Sequence, residues 1–443
     1  MSVVPVNAPS LEGWLAASPD SLSGSKPDWL ERSRRDALLR VREQGIPTTK
    51  DEGWRYTGLK GLIEKDFAPS AEILTAVQPE DVGEFLIPGL DAYRVVLANG
   101  RYLSQLSNLD AIPAGVRAGS LREVLETHAD ALEGRLTSIA GDVTHVFSAV
   151  NTAAMDDGFV LLVDEDVALD RPIEVIHLSV GREEPRVAQP RHLIVLQEGA
   201  RAELIERYVS MGDSLYCTNS VMELSLGRKA ELTHSRVQIE SPNAFHITGL
   251  YMRLQGESRY EGVNVGLGAA WARNDLAVRF AGQGAQCRLR GLYLAGDKQV
   301  SDYHLDVDHA VPQCASDQNF KGILHGKGRA VFDGRIHVAV DAQKTDAHLS
   351  NKNLLLSRNA EVDTKPQLEI FADDVKCSHG TTVGQIEPEM LFYLRSRGIS
   401  APQARRMLCV GFAGEIIAAL GQEALRDHVT EQVGQRLERA PLN

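Results

Sequence analysis

The chain has 443 residues, 43% of them apolar and 24% charged, with a formal net charge of −13. That is enough length for more than one domain and a large core. It also argues against non-specific nucleic-acid binding and adsorption to anionic lipid, which both need a basic face. No apolar run approaches the ~20 residues of a membrane span. The N-terminal stretch MSVVPVNAPSLEGWLAASPD lacks the basic start and apolar run of a secretory signal. The five cysteines, Cys217, Cys287, Cys314, Cys377 and Cys409, are odd in number, widely spaced and never in C-x-x-C pairs. This suits a reducing, cytoplasmic setting better than a disulfide framework or a zinc module.

Taken in chain order, PDWLERSRRDALLRVREQGIP predicts a helix, started by Pro27 and Asp28 and stopped by Gly45 and Pro47. Trp29, Leu30, Ala37, Leu38 and Val41 fall on its apolar face. TTKDEGWRYTGLKGL then concentrates Trp54 and Tyr56. YRVVLANGRYL predicts a hairpin turning at Asn99-Gly100, and SLREVLETHADALEGRL a second helix. Residues 1–155 read as a helical and mixed region.

From about residue 156 to 385 the texture becomes short runs rich in Val, Ile, Leu and Tyr. Turns separate them at Gly199-Ala200, Gly227-Arg228, Gly282 with Gly284, Gly326 with Gly328, and Ser357–Asn359. A sandwich, a barrel or a solenoid would each use such strands. The recurring unit of a turn and a polar–apolar strand, roughly 25–30 residues or multiples of it, favours stacked solenoid rungs.

Residues 386–443 return to helix. EPEMLFYLRSRG predicts a short helix from Pro388 to Gly398. The next helix places Ala404, Met407, Leu408, Gly411 and Phe412 on one face, and EALRDHVTEQVGQRLER forms a third. Phe392, Tyr393 and Leu394 beside Arg395 and Arg397 suit either docking of a partner or a local core.

Several motifs fail. LHGKGRA lacks the Walker spacing, so no nucleotide site is encoded. GLGAAW and GQGAQC read as turns, and VFSAV has no elbow glycines around Ser148. In SDYHLDVDHA a strand would place Asp302, His304, Asp306 and Asp308 on one face, as a cation site or a solvated face. Tyr303, Leu305, Val307 and His309 would take the other. In DDVKCSHGTTVGQ, Cys377 and His379 project the same way from a strand. They read either as metal or cluster ligands or, since Val375 shares that face, as a buried thiol and a hydrogen-bonded ring.

HAVPQCASDQNFKGIL, FDGRIHVAVDAQKTDAHLSNKNLLLS and VDTKPQLEIFADDVKCSHGTTVGQ resemble the signature blocks of the SufB/SufD family. LFYLRSRGIS followed by ARRMLCVGFAGEI fits the family's C-terminal helices, and GIPTTKDEGWRYTGL is similar to a SufD-type rather than a SufB-type N-terminal block. The resemblance implies a right-handed parallel β-helix flanked by helical regions, in a cytoplasmic component of Suf iron–sulfur cluster assembly. It implies a SufB-like partner and the ATPase SufC, docked on the C-terminal helices. It further implies iron or a transient cluster at the SufB–SufD interface, near His379 and Cys377. SufB-like chains carry a cysteine where Ala360 stands in LLLSRNAEVDTKP and a glutamate near the position of His379. The chain is therefore expected to be a non-catalytic subunit that holds no cofactor alone. The competing expectations are a β-helical carbohydrate-active enzyme and an iron-delivering homodimer.

Overall fold

A computed structural model describes residues 13–15, 27–70, 77–142, 145–181 and 184–440. Strand accounts for 41% of the chain and helix for 24%, so the architecture is mainly β. From Arg191 to Gly384 successive strands alternate between two sheets and pair in parallel with the strand two places on, and Phe159–Val163 and Ile173–Val180 begin the two sheets. This is a parallel β-helix of about seven turns. The registers give the rung length directly. Phe245 lies opposite Trp271 and Arg329 opposite Glu361, steps of 26 and 32 residues. The repeat read from the glycine turns is thus one rung.

The two inward faces meet in one apolar core, with Leu196, Leu226, Leu254, Phe280, Phe320, Phe332 and Leu349 among its buried members. Close stacking needs small residues at fixed places. A Cβ on Gly291 would come within 2.0 Å of the Phe320 ring that lies opposite it in register. The strand Val300–His309 follows the alternation expected of it: Tyr303, Leu305, Val307 and His309 are buried, and His304, Asp306 and Asp308 are half-buried.

Both outward faces are partly covered. The N-terminal helix Asp28–Gln44 buries Leu30, Ala37 and Val41, while Trp29 and Leu38 are only half-buried. Together with Trp54, Phe67 and the helix Val146–Ala154, this region packs on the first sheet through Cys217, Phe245, Ile247 and Trp271. Strands from the same region extend the sheets: Val116–Ser120 joins the first and the hairpin Tyr93–Ala98 with Arg101–Tyr102 the second. The hairpin turns where predicted, with φ of 46° at Asn99 and 84° at Gly100, as a primed turn requires. The second predicted helix is shorter than its sequence pattern. Ser120 caps it by accepting the Glu123 amide, but it ends at Thr127 because His128 leaves helical space (φ −146°, ψ 45°).

At the far end come the helices Pro388–Ser396, Ala401–Ile417 and Glu423–Arg439. The last two cover Ile205, Val237, Val263, Val265, Leu292, Leu294 and Ile323 on the second sheet. The buried stripe of Ala401–Ile417 is Ala404, Cys409, Ala413, Ile416 and Ile417, not the predicted stripe through Met407 and Gly411. The helix is apolar on more than one side, and the sheet together with the last helix selects a rotated face, leaving Met407 exposed.

Candidate cluster interface

The solenoid is closed by helical and hairpin elements at its start but not at its finish. Glu361–Ile370 pairs only with Arg329–Val338, and Lys376–Gly384 only with Asp346–Leu355. Among the described residues these are the terminal strands of the two sheets, each with an unpaired edge.

Cys377 and His379 stand on the second of these strands. Their register partners are Ala347 and Leu349, both buried in the inner core. Because side chains stack in columns along a parallel sheet, Cys377 and His379 continue the two inward columns onto the open end. The expected shared face is therefore present. The thiol is half-buried and packs against the core beside Val375, whereas His379 is exposed. Burial, followed by the nearby Asp346 carboxylate, raises the Cys377 thiol pKa, which makes thiolate scarcer. On the opposite face of the strand, Ser378 is tied to His348 Nδ1 at 2.7 Å, and His348 Nε2 to Asp346 at 2.8 Å. Ala360 is buried in the inner core, so a methyl group occupies that position where a SufB-type chain would carry its thiol.

Among the described residues, eight of the ten exposed large hydrophobic side chains lie beyond residue 339: Val340, Ile370, Phe371, Val383, Met390, Phe392, Tyr393 and Met407. They gather on the last rungs and on the C-terminal helices. Of the predicted docking residues, Phe392 is 74% and Tyr393 57% exposed, which removes the local-core alternative for both. Arg395 and Arg397 are also exposed, and Leu394 is half-buried. The Arg397 guanidinium donates to Tyr393 Oη at 2.9 Å and lies 4.9 Å from the ring centroid.

A second feature is a cleft of about 980 Å³ between the segment 43–54 and the outer face of the first sheet. Its floor is an ion-pair ladder. Arg273 bridges Asp275 and Asp302 at 2.9 and 3.2 Å and stacks 3.7 Å from the Trp54 centroid. His304 lies 2.9 Å from Asp302; burial opposes the charged ring, but the charge and hydrogen bond of Asp302 together with the Asp275 charge outweigh it and raise the pKa. Asp306 pairs with Arg335 and Asp308 with His337, each at 2.8 Å. The face that sequence left open between a cation site and a solvated surface is a ladder of ion pairs, partly solvated at Asp306 and Asp308. Its half-buried carboxylates are paired, and Asp302 is wholly buried. Among the described residues the one group of three potential metal ligands lies elsewhere, inside the solenoid. The glycine motifs GLGAAW, GQGAQC and LHGKGRA all fall at strand-to-strand turns, with no helix following.

The fold is an uncapped parallel β-solenoid with polar and apolar side chains displayed on its open end. The comparisons make this specific. A family model described as SUF system FeS cluster assembly, SufBD core domain, matches residues 178–412, and the SufBD protein N-terminal region matches residues 14–175. The chain belongs to the SufBD family of the SUF iron–sulfur cluster assembly system. It is 35% identical to the iron-sulfur cluster assembly protein SufD of Escherichia coli (strain K12), over 88% of this chain and 89% of the relative. A SufBD family protein of Synechocystis is 33% identical over 88% and 87% of the two chains. An Arabidopsis thaliana relative named as chloroplastic is 31% identical over 87% and 82%. No helix among the described residues is long and apolar enough to cross a membrane.

Proposed function

We propose that this chain is a non-catalytic scaffold subunit that pairs through its open solenoid end with a SufB-like chain and receives the SufC ATPase on its C-terminal helices. Iron or a nascent iron–sulfur cluster is the cargo, handled where His379 and Cys377 meet the partner. The observation that carries the reading is the uncapped terminal rung. It combines two unpaired strand edges, exposed apolar side chains and an exposed imidazole above the inner core. Unpaired edges and contiguous exposed apolar groups are costly in an isolated chain and are satisfied by a partner. Neutral imidazole offers iron a lone pair. The half-buried thiol of Cys377, with its raised pKa, is the weaker ligand of the two.

The test is co-expression with the Suf partners under anaerobic conditions, followed by iron and sulfide analysis of the purified complex. A stoichiometric complex carrying both is the expected result. A complex that assembles without iron or sulfide, under conditions where related complexes load, removes the cargo-handling role. Failure to assemble removes the partner assignment as well.

A further inference from the structure

Away from the open end, in the early rungs, three buried side chains meet inside the solenoid. His177, His192 and Glu206 come from the strands Ile173–Val180, Arg191–Leu196 and Arg201–Met211. One nitrogen of each ring and one carboxylate oxygen lie within 4.8 Å of one another. The two imidazoles stand edge to face with centroids 5.0 Å apart, and His177 stacks on Tyr208 at 4.1 Å.

The hydrogen bonds decide the tautomers. His192 Nδ1 accepts the Phe159 amide proton at 3.0 Å, so that nitrogen carries a lone pair. Burial drives the His192 pKa down to about 3, so the ring is neutral and its one proton sits on Nε2. That Nε2 has no partner. His177 Nε2 lies 3.2 Å from Glu206 Oε1 without the alignment of a hydrogen bond, so neither ring nitrogen of His177 has a partner; the facing carboxylate favours the proton on Nε2 and a lone pair on Nδ1. A buried donor and a buried acceptor on adjoining rings are therefore both unsatisfied by the protein's own groups.

A metal ion fits this chemistry poorly. Ligation through His192 Nε2 would strip the proton from a ring whose other nitrogen already accepts an amide. The Glu206 carboxylate is also occupied. Tyr208 Oη donates to it at 2.6 Å, and His234 Nε2 and the cationic Arg236 Nε each lie 3.2 Å away. A water molecule fits. It is both donor and acceptor, so one molecule can join the His192 N–H to the lone pair of the neighbouring His177 ring.

We propose that the His177–His192–Glu206 junction is a binding site for a single internal water, which accepts the His192 Nε2 proton and donates to His177 Nδ1. The water joins the two rings within a polar path across the lumen. That path runs from the Phe159 amide through His192, the water, His177, Glu206 and His234 to Tyr260 Oη, whose contact with His234 Nδ1 is 3.0 Å. The ligand class is thereby fixed as a neutral molecule of water's size that can both give and take a hydrogen bond.

A crystal structure of the full chain tests this, with anomalous data collected above the iron and zinc edges. One fully occupied peak is expected about 2.7–3.2 Å from both His192 Nε2 and His177 Nδ1, with no anomalous signal. An anomalous peak at metal-bond distance from a ring nitrogen overturns the proposal, as does a junction without density. In solution, magnetic relaxation dispersion should count one fewer long-lived internal water in His192→Phe and in His177→Phe than in the unmodified chain. An unchanged count in folded variants is the opposing result, and the crystallographic test on the unmodified chain stands even if neither variant folds.

Discussion

Lys365 Nζ lies 2.6 Å from Glu52 Oε1, joining residues 313 positions apart. The bond ties the N-terminal segment that carries Trp54 to the last strand of the first sheet. The same segment is held from below by Arg273, whose guanidinium donates to the Gly53 carbonyl at 2.8 Å. The charged pair is exposed and screened by salt, while the Arg273 contacts are buried. Lys365→Met should therefore speed amide hydrogen exchange around residues 45–57 while leaving the melting temperature unchanged. A large fall in melting temperature would show that the exposed pair, not Arg273 and Trp54, fixes the segment.

Arg191 and Glu223 form a wholly buried pair at 2.5 Å. Glu223 also accepts the backbone amides of Thr137, Ile139 and Ala140 at 2.6, 2.7 and 2.9 Å. Removing one member of a buried pair strands the other, at a cost of about 3–5 kcal/mol. The two members are not equivalent. Arg191→Met leaves a carboxylate with three amide donors, whereas Glu223→Leu strands both the guanidinium and those amides. Denaturant titration should rank Glu223→Leu as the more destabilising. The reverse order would mean that the amides find other acceptors.

The buried histidines make stability depend on pH. Burial lowers His145 and His309 to about 4 and His192 to about 3, from an ordinary value of 6.5. Between those values the unfolded chain binds protons that the folded chain does not. Stability therefore falls as pH drops below 6.5, by about 1.4 kcal/mol per pH unit for each such ring at most. His304 works in the opposite sense, since its folded pKa is raised: it stabilises below 6.5, and that contribution fades as pH rises through its folded value. Burial lowers His177, His325 and His428 in the same direction, so the lowered rings outnumber the one raised and predict a net loss toward pH 4.5. Melting curves that stay level from pH 7 to 4.5 would contradict the burial of these imidazoles.

The solenoid could be read from sequence because each rung must turn tightly, and tight turns leave glycine at regular intervals. The inward and outward faces of Val300–His309 could be read because that strand alternates cleanly. The helix Val146–Ala154 could not. Eight of its nine residues are buried, so it has no polar face to set a period. The lumen polar cluster was equally hidden. In RAELIERYV, Glu206 and Tyr208 share one face of the strand and Ile205 and Arg207 the other, and alternation alone does not say which side is inside. Pairings such as Glu52 with Lys365 depend on rung stacking, which no local pattern encodes.

The docking prediction needs point substitutions rather than truncation. Removing residues 386–443 would uncover Val237, Val263, Val265, Leu292, Leu294 and Ile323, so the remaining solenoid would lose an apolar cover as well as a docking surface. Phe392→Ala with Tyr393→Ala leaves that cover in place, since no residue of Pro388–Ser396 is buried. The double variant should keep its melting temperature and lose at least tenfold in SufC affinity, about 1.4 kcal/mol or more. Undiminished SufC binding would move the docking site off this helix.

His379 and Cys377 share a face but not an environment, and this separates their variants. His379 is exposed at the open end, so His379→Ala should leave the stability of the isolated chain within about 0.5 kcal/mol of the parent, with little change in its melting temperature. In the complex it should lower iron content without releasing the partner, because alanine offers iron no lone pair. Cys377 packs on the inner core, and Cys377→Ser exchanges its thiol for a hydroxyl. That change should cost some stability and less iron than His379→Ala. The two measurements taken together are the melting temperature of the isolated chain and the iron per assembled complex. Full iron in the His379→Ala complex would end the ligand assignment. Loss of iron in Cys377→Ser but not in His379→Ala would transfer it to the thiol.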